Sequence, residues 1–170
     1  MDVEIIYSKR RTVSLSVKDG RVILRAPKGT PKRLLLDFVR EKESWVRDRL
    51  ERQRKKQALE ESLTEDDIKL LKKQAREYLG SKLDEYSKIT GLKYSRMKIT
   101  SARGRFGSCS SRGTICFSYR LMLYPEAARE YVVLHELCHL VYMNHSRDFY
   151  ALLSRYMPDY KSRRAMLKMR

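Results

Sequence analysis

Apolar positions recur with period two over the first 26 residues. Val3, Ile5 and Tyr7 form one set, Val13, Leu15 and Val17 a second against Thr12, Ser14 and Ser16, and Val22 and Leu24 a third opposite Ile23 and Arg25. That period predicts strands. Lys18-Asp19-Gly20 separates the second and third runs, and Asp-Gly supplies the positive φ values a tight hairpin demands. An N-terminal antiparallel β-hairpin sheet is therefore expected, ended by Pro27. Thr30 then offers an N-cap and Pro31 a first helical residue whose missing N–H costs nothing. Leu35, Phe38, Val39, Trp45, Val46 and Leu50 follow at near-helical spacing. They predict one helix to about residue 50, covering the sheet, with Trp45 in the core.

The pattern lapses from Arg52 to Glu61, which is polar and highly charged. This predicts a helix end or linker and a boundary near residue 60, dividing the chain into 1–60, a β-sheet and helix subdomain, and 61–170, a catalytic core. Thr64 before Glu65, Asp66 and Asp67 marks the N-cap of a helix running toward Ile89, interrupted at Gly80 and ended by Gly91. Met97–Ser101 and Thr114–Ser118 are expected as short strands of a small antiparallel sheet around a loop at 103–110. Pro125 opens a helix through Tyr131–His139, Ser146 caps another, and Pro158 precedes a basic terminal helix. The fold class expected is α+β.

Composition narrows the class. At 170 residues, 42% hydrophobic and 35% charged, the chain can close a core and fits one compact domain with a small appendage. No apolar run approaches the roughly 20 residues a bilayer span needs, and Asp2 and Glu4 stand where a secretory leader would carry cations. No membrane partner and a cytoplasmic location are expected. Cys109, Cys116 and Cys138 lack CxxC spacing, so reduced and mostly buried thiols are the default. The net charge is +17. No acid occurs between Glu85 and Glu126, while Lys88, Lys93, Arg96, Lys98, Arg103, Arg105, Arg112 and Arg120 accumulate, and the tail from Lys161 to Arg170 adds more cations. An anionic partner, nucleic acid or nucleotide among them, is compatible with that distribution.

The chemistry gathers in one segment. All three histidines lie between His135 and His145, and the first two bracket Glu136 in His135-Glu136-Leu137-Cys138-His139. Residues four apart return to within about 40° of the same helix face, so His135 and His139 can offer two imidazole nitrogens to one metal ion. Glu136 then projects beside the ion, where a carboxylate can take a proton from water as general base. A catalytic zinc keeps three protein ligands, and His145 is the expected third. For it to return, the helix must end after His139, and Asn144 is expected to make the turn in a left-handed conformation. Paired histidines on an apolar helix are commonly plain core residues. Three in the whole chain, all within one short stretch, argue otherwise. One Zn2+ per chain is expected. Tyr142, Tyr150, Arg105 and Arg112 are candidates for transition-state or substrate contacts, and Cys109 is expected to be an ordinary buried thiol.

At these residues the chain resembles the YgjP-like metal-dependent hydrolases, a group placed among the zincin metallopeptidases and similar to the SprT-like catalytic cores. The matching pieces are YVVLHELCHL at 131–140, NHSRDFY at 144–150, MPDY at 157–160, the FGSCS loop at 106–110 and the segment from Arg11 to Pro27. The resemblance implies zinc held by His135, His139 and His145, Glu136 as general base, and a small sheet packed on the active-site helix. Phe106 stands where the group usually has Trp, and Ser118 where it often has Asn.

Three functions remain compatible with these residues. The first is a zinc metallopeptidase acting on protein or peptide. The second is a metal-dependent nucleotide (UTP) pyrophosphohydrolase, weakened by the lack of a phosphate-cradling glycine loop. The third is a DNA-associated protease or nucleic-acid-binding protein with a zinc site, suggested by the basic surface and by the spacing shared with the WLM proteases, which cleave proteins crosslinked to DNA.

Overall fold

The computed structural model describes residues 3–167. Lys168 and Arg170 of the basic tail, and Asp2, lie outside the described residues. The chain divides into two compact units, one up to Ser62 and one from Leu63. The architecture is α+β in both.

In the first unit β1 (Val3–Ser8), β2 (Ser14–Lys18) and β3 (Arg21–Pro27) form a sheet of order β1-β3-β2. The β2–β3 hairpin is antiparallel, with Asp19 at φ 50 and Gly20 at φ 74, as the Asp-Gly pair predicts. β1 departs from expectation. It pairs parallel with β3, Val3 opposite Val22 and Tyr7 opposite Ala26, so the sheet is mixed rather than antiparallel. Alternation fixes the faces of a strand but not its neighbour. Residues 9–13, which lack a tight-turn pair, carry the chain past β3's far edge. The inner face packs Leu24 and Ala26 against Leu35 and Val39, with Val3, Ile5, Leu15 and Phe38 around them.

The predicted single helix is two. α1 (Lys32–Glu41) stops at Lys42, whose φ of −105° and ψ of 16° break the ladder, and α2 (Glu43–Glu61) continues through the stretch expected to be linker. Pro31, not Thr30, is the N-cap residue, and Thr30 Oγ1 donates to Pro27 O instead. The break rotates the second stripe, so that Val46 is fully buried while Trp45, expected in the core, is 43% exposed. Gln53 on α2 grips the hairpin, accepting from Gly20 N and donating to Val17 O, both at 3.0 Å.

In the second unit α3 (Glu65–Thr90) begins with a reciprocal capping box between Thr64 and Asp67 and ends at Gly91 in the left-handed region. It runs through Gly80 without interruption, since one glycine costs only about 1 kcal/mol of helix propensity. β4 (Arg96–Thr100) and β6 (Thr114–Ser118) are parallel, and a third strand, β5 (Gly107–Cys109), lies within the expected loop and pairs antiparallel with β6. This sheet too is mixed, with order β4-β6-β5. The link from β4 to β5 is pinned by backbone carbonyls: Ser118 Oγ donates to Ala102 O at 2.7 Å and Arg120 Nη1 to Ser101 O at 2.6 Å.

α4 (Glu126–Cys138) is the central helix, buried along most of its surface through Ala128, Tyr131, Val132, Val133, Leu134, Leu137 and Cys138. α5 (Arg147–Tyr156) and α6 (Tyr160–Met166) follow. Glu130 of α4 meets Lys82 of α3 at 2.9 Å and Arg163 of α6 at 2.6 Å, tying three helices together. The core joins Ala75, Leu79 and Leu83 of α3 to Ile115 and Phe117 of β6, to α4, and to Phe149 and Leu153 of α5. None of the described helices is long and apolar enough to cross a membrane.

Candidate metal centre

α4 ends where the sequence requires it to. His139 is the C-cap residue, and Leu140 N, Val141 N and Tyr142 N close tight turns onto Leu137 O, Cys138 O and Cys138 O. These turns, not a left-handed Asn144, reverse the chain, for Asp19 is the only described non-glycine residue with positive φ. Ser146 Oγ then caps α5 by accepting from Phe149 N. His145 is thereby carried back over α4.

The three imidazoles converge. His135 Nε2 lies 3.2 Å from His139 Nε2 and 3.0 Å from His145 Nε2, and the three donor atoms fall within 4.8 Å of one another. Tetrahedral zinc with Zn–N bonds of about 2.0–2.1 Å sets its ligand nitrogens roughly 3.3–3.4 Å apart, so the cluster has the scale of a metal centre. His139 Nδ1 lies 2.8 Å from Tyr142 O. A carbonyl only accepts, so that nitrogen carries the hydrogen and Nε2 presents a lone pair to the cluster. Phe149, fully buried, floors the group: its ring centroid is 4.9, 4.6 and 5.0 Å from those of His135, His139 and His145. Burial pushes His135 down to about 3, helped by His139, His145 and the Arg164 cation, so it stays neutral and able to ligate. His145 is lowered in the same direction, again first by burial.

Glu136 packs against Gly107 of β5. It is 6% exposed, and burial raises its carboxyl to about 7 despite the opposing charge of Arg105. Gly107 makes room for it, since a Cβ there would fall 2.6 Å from Glu136 Cγ. Cys109, further along β5, is raised to about 11 by burial, then by Glu136 and Cys116, which leaves it a thiol rather than a nucleophilic thiolate. Cys109 and Cys116 are half-buried, Cys138 is buried, and all three are free.

The other expected contacts divide. Tyr150 stacks on His145 at 6.2 Å and on Tyr160 at 5.7 Å, so it borders the cluster. Tyr142 enters through its backbone carbonyl, while its ring packs on the core. Arg105 is exposed and acts on Glu136 by charge. Arg112 sits in the β5–β6 turn, at the end of β5 remote from Gly107, where its carbonyl accepts from Ser95 Oγ. Four residues were not singled out by the sequence: Tyr131, whose Oη is 3.2 Å from His135 Nδ1; Phe149; Gly107; and Arg164. Tyr131 alone left a signal, its spacing of four from His135.

Three imidazoles around one point, with a buried carboxyl on the same helix, define a site suited to a divalent cation. The chain matches the YgjP-like, metallopeptidase domain model over residues 11–70 and 55–170, and it belongs to that family. Membership assigns it to the metal-dependent hydrolases as a class. None of the curated proteins compared with it matches. Among solved structures it is similar to the metallopeptidase zymogen of Pyrococcus abyssi abylysin, with 21% identity and a TM-score of 0.49 over 54% of this chain and 92% of that one.

Proposed function

We propose that the protein is a zinc-dependent metallopeptidase of the HExxH type, with His135, His139 and His145 holding one zinc ion in a zincin-like core and Glu136 acting as general base. The reading is carried by the convergence of three Nε2 atoms within 4.8 Å beside a carboxyl raised to about 7. A zinc ion bound there would supply Lewis acidity to the scissile carbonyl and to the attacking water. The remaining work falls to the chain. Glu136, poised near neutrality, takes the proton from water and returns it to the leaving amine. Tyr131 and Tyr142 O orient the imidazoles, and Phe149 keeps water from their inner side. β5 is the edge of its sheet and runs past Glu136, so an extended peptide can add to it by main-chain hydrogen bonds. Arg105, which acts on Glu136 by charge, and Tyr150, stacked on His145, are the candidates for holding the developing oxyanion.

The test is turnover of an unstructured protein, with and without DNA, and of UTP, by zinc-loaded wild type and Glu136→Gln. Cleavage of protein that disappears in the variant, with zinc content unchanged, is expected. Consumption of UTP alone would overturn the peptidase reading in favour of pyrophosphohydrolysis. Cleavage only when DNA is present would make the protein a DNA-associated protease.

A further inference from the structure

His135 and His139 face the same cluster but are held from behind by different chemistry. Behind His139 is the carbonyl of Tyr142, which accepts from Nδ1–H and fixes one tautomer. Behind His135 is a phenol. Tyr131 and His135 are four apart on α4, their rings 5.5 Å apart, with Oη 3.2 Å from Nδ1 and Tyr131 only 4% exposed. The phenol can both donate and accept, which no carbonyl or carboxylate can do.

His135 needs both. Its Nε2 lies 3.2 Å from His139 Nε2, already committed to a lone pair by the Tyr142 carbonyl. With no cation between them, two lone pairs at that distance repel, so His135 Nε2 must carry the hydrogen and Nδ1 is bare and needs a donor. With a cation on Nε2, the hydrogen sits on Nδ1, which needs an acceptor. We propose that Tyr131 is a positioning residue that serves both tautomers of His135, donating to Nδ1 in the metal-free chain and accepting from Nδ1–H in the loaded one. The imidazole is neutral throughout. The N–H bond at Nε2 breaks and one forms at Nδ1, solvent water carrying the proton between them, while the Tyr131 O–H rotates away from Nδ1. The ring itself does not turn, so Phe149 and His145 keep their contacts. The inference rests on the metal-binding part of the proposed function.

Tyr131→Phe keeps the ring and removes only the hydroxyl. Two readouts are taken on the full chain: zinc affinity by competition with a chromophoric chelator, and the His135 tautomer from nitrogen-15 NMR, without metal and with zinc. Wild type is expected to show Nε2–H without metal and Nδ1–H with zinc. The variant is expected to bind zinc about 10- to 100-fold more weakly. Its metal-free His135 should stay Nε2–H, as the His139 contact dictates, while the Nδ1 nitrogen-15 shift moves to that of a lone pair with no donor, a change that mere loss of packing would not produce. Wild-type affinity together with an unchanged Nδ1 shift in Tyr131→Phe overturns the inference and leaves the peptidase reading intact. Zinc uptake without hydrolysis of any protein overturns the peptidase reading and leaves this inference standing. A wild-type chain that takes up no zinc overturns both.

Discussion

Glu136 fills the space that any side chain at position 107 would occupy. The Cβ that Gly107 lacks would lie 2.6 Å from Glu136 Cγ and Oε1 and 2.7 Å from Cδ. The glycine is there for close approach, not for an unusual φ. Gly107→Ala should therefore displace the carboxylate by about an ångström, enough to lower turnover by roughly 100-fold. Overpacking should also cost about 1–3 kcal/mol of stability. The histidines are untouched, so zinc content should stay at the wild-type value. Parallel hydrolysis assays and metal analysis check this. A variant that loses its zinc would place the damage at the imidazoles instead.

Phe149 supports all three rings at once. Phe149→Ala should open a cavity beneath them and destabilise the second unit by about 3–5 kcal/mol in urea denaturation with chelator present. Phe149→Leu, the milder change, should fold and still bind zinc roughly tenfold more weakly, because the rings lose the surface that orients them. Equal zinc affinity in Phe149→Leu would show that backbone turns alone set the cluster.

Acid should loosen the helix bundle through Glu130. Burial raises this carboxyl, but hydrogen bonds and charge from Lys82 and Arg163 outweigh burial and hold it below its ordinary value. A carboxyl lowered in the folded chain stabilises it above the unfolded value of about 4.3, and that contribution disappears as pH falls through the lowered folded value. Glu130→Gln should thus cost about 1–3 kcal/mol at pH 7, given partly buried partners. The gap between variant and wild type should close below about pH 4. Melting curves of both from pH 3 to 7 measure it. A constant gap would assign the cost to packing.

Zinc should stabilise the fold by mass action. At free zinc of about 100 times Kd the gain is about 2.7 kcal/mol, which in a unit of this size raises Tm by roughly 10 °C. His145→Ala, which removes the exposed member of the cluster, should lose most of that gain and little of the chelated protein's stability. Scanning calorimetry with zinc or chelator decides between this outcome and equal shifts in both chains.

What could be read in advance follows a physical line. Helix and turn periodicity is local, so the Asp19-Gly20 hairpin, the Thr64 and Ser146 caps and the spacing of His135, His139 and His145 were all legible. Partner choice is not local. Nothing in the alternation of Val3, Ile5 and Tyr7 says that β1 skips β2 to lie parallel to β3. β5 was hidden because three residues are too few to show a period. The break between α1 and α2 leaves no mark in the sequence, because Lys42 is an ordinary helix former with no proline or glycine beside it. At the site, Tyr131 and Phe149 look like core residues from their spacing, and they are core residues. Their second role comes from which rings they touch.

The cluster's three donors are close neighbours along the chain, whereas the groups that tune Glu136 come from β5 and the link before it. In the proposed mechanism, grip and proton transfer therefore have separate ancestries in the sequence. On that reading, lesions around 103–109 would silence hydrolysis while the ion stays bound, and such silent, fully loaded chains would compete for zinc and substrate with active ones. A survey that equates bound zinc with competence would count them as working.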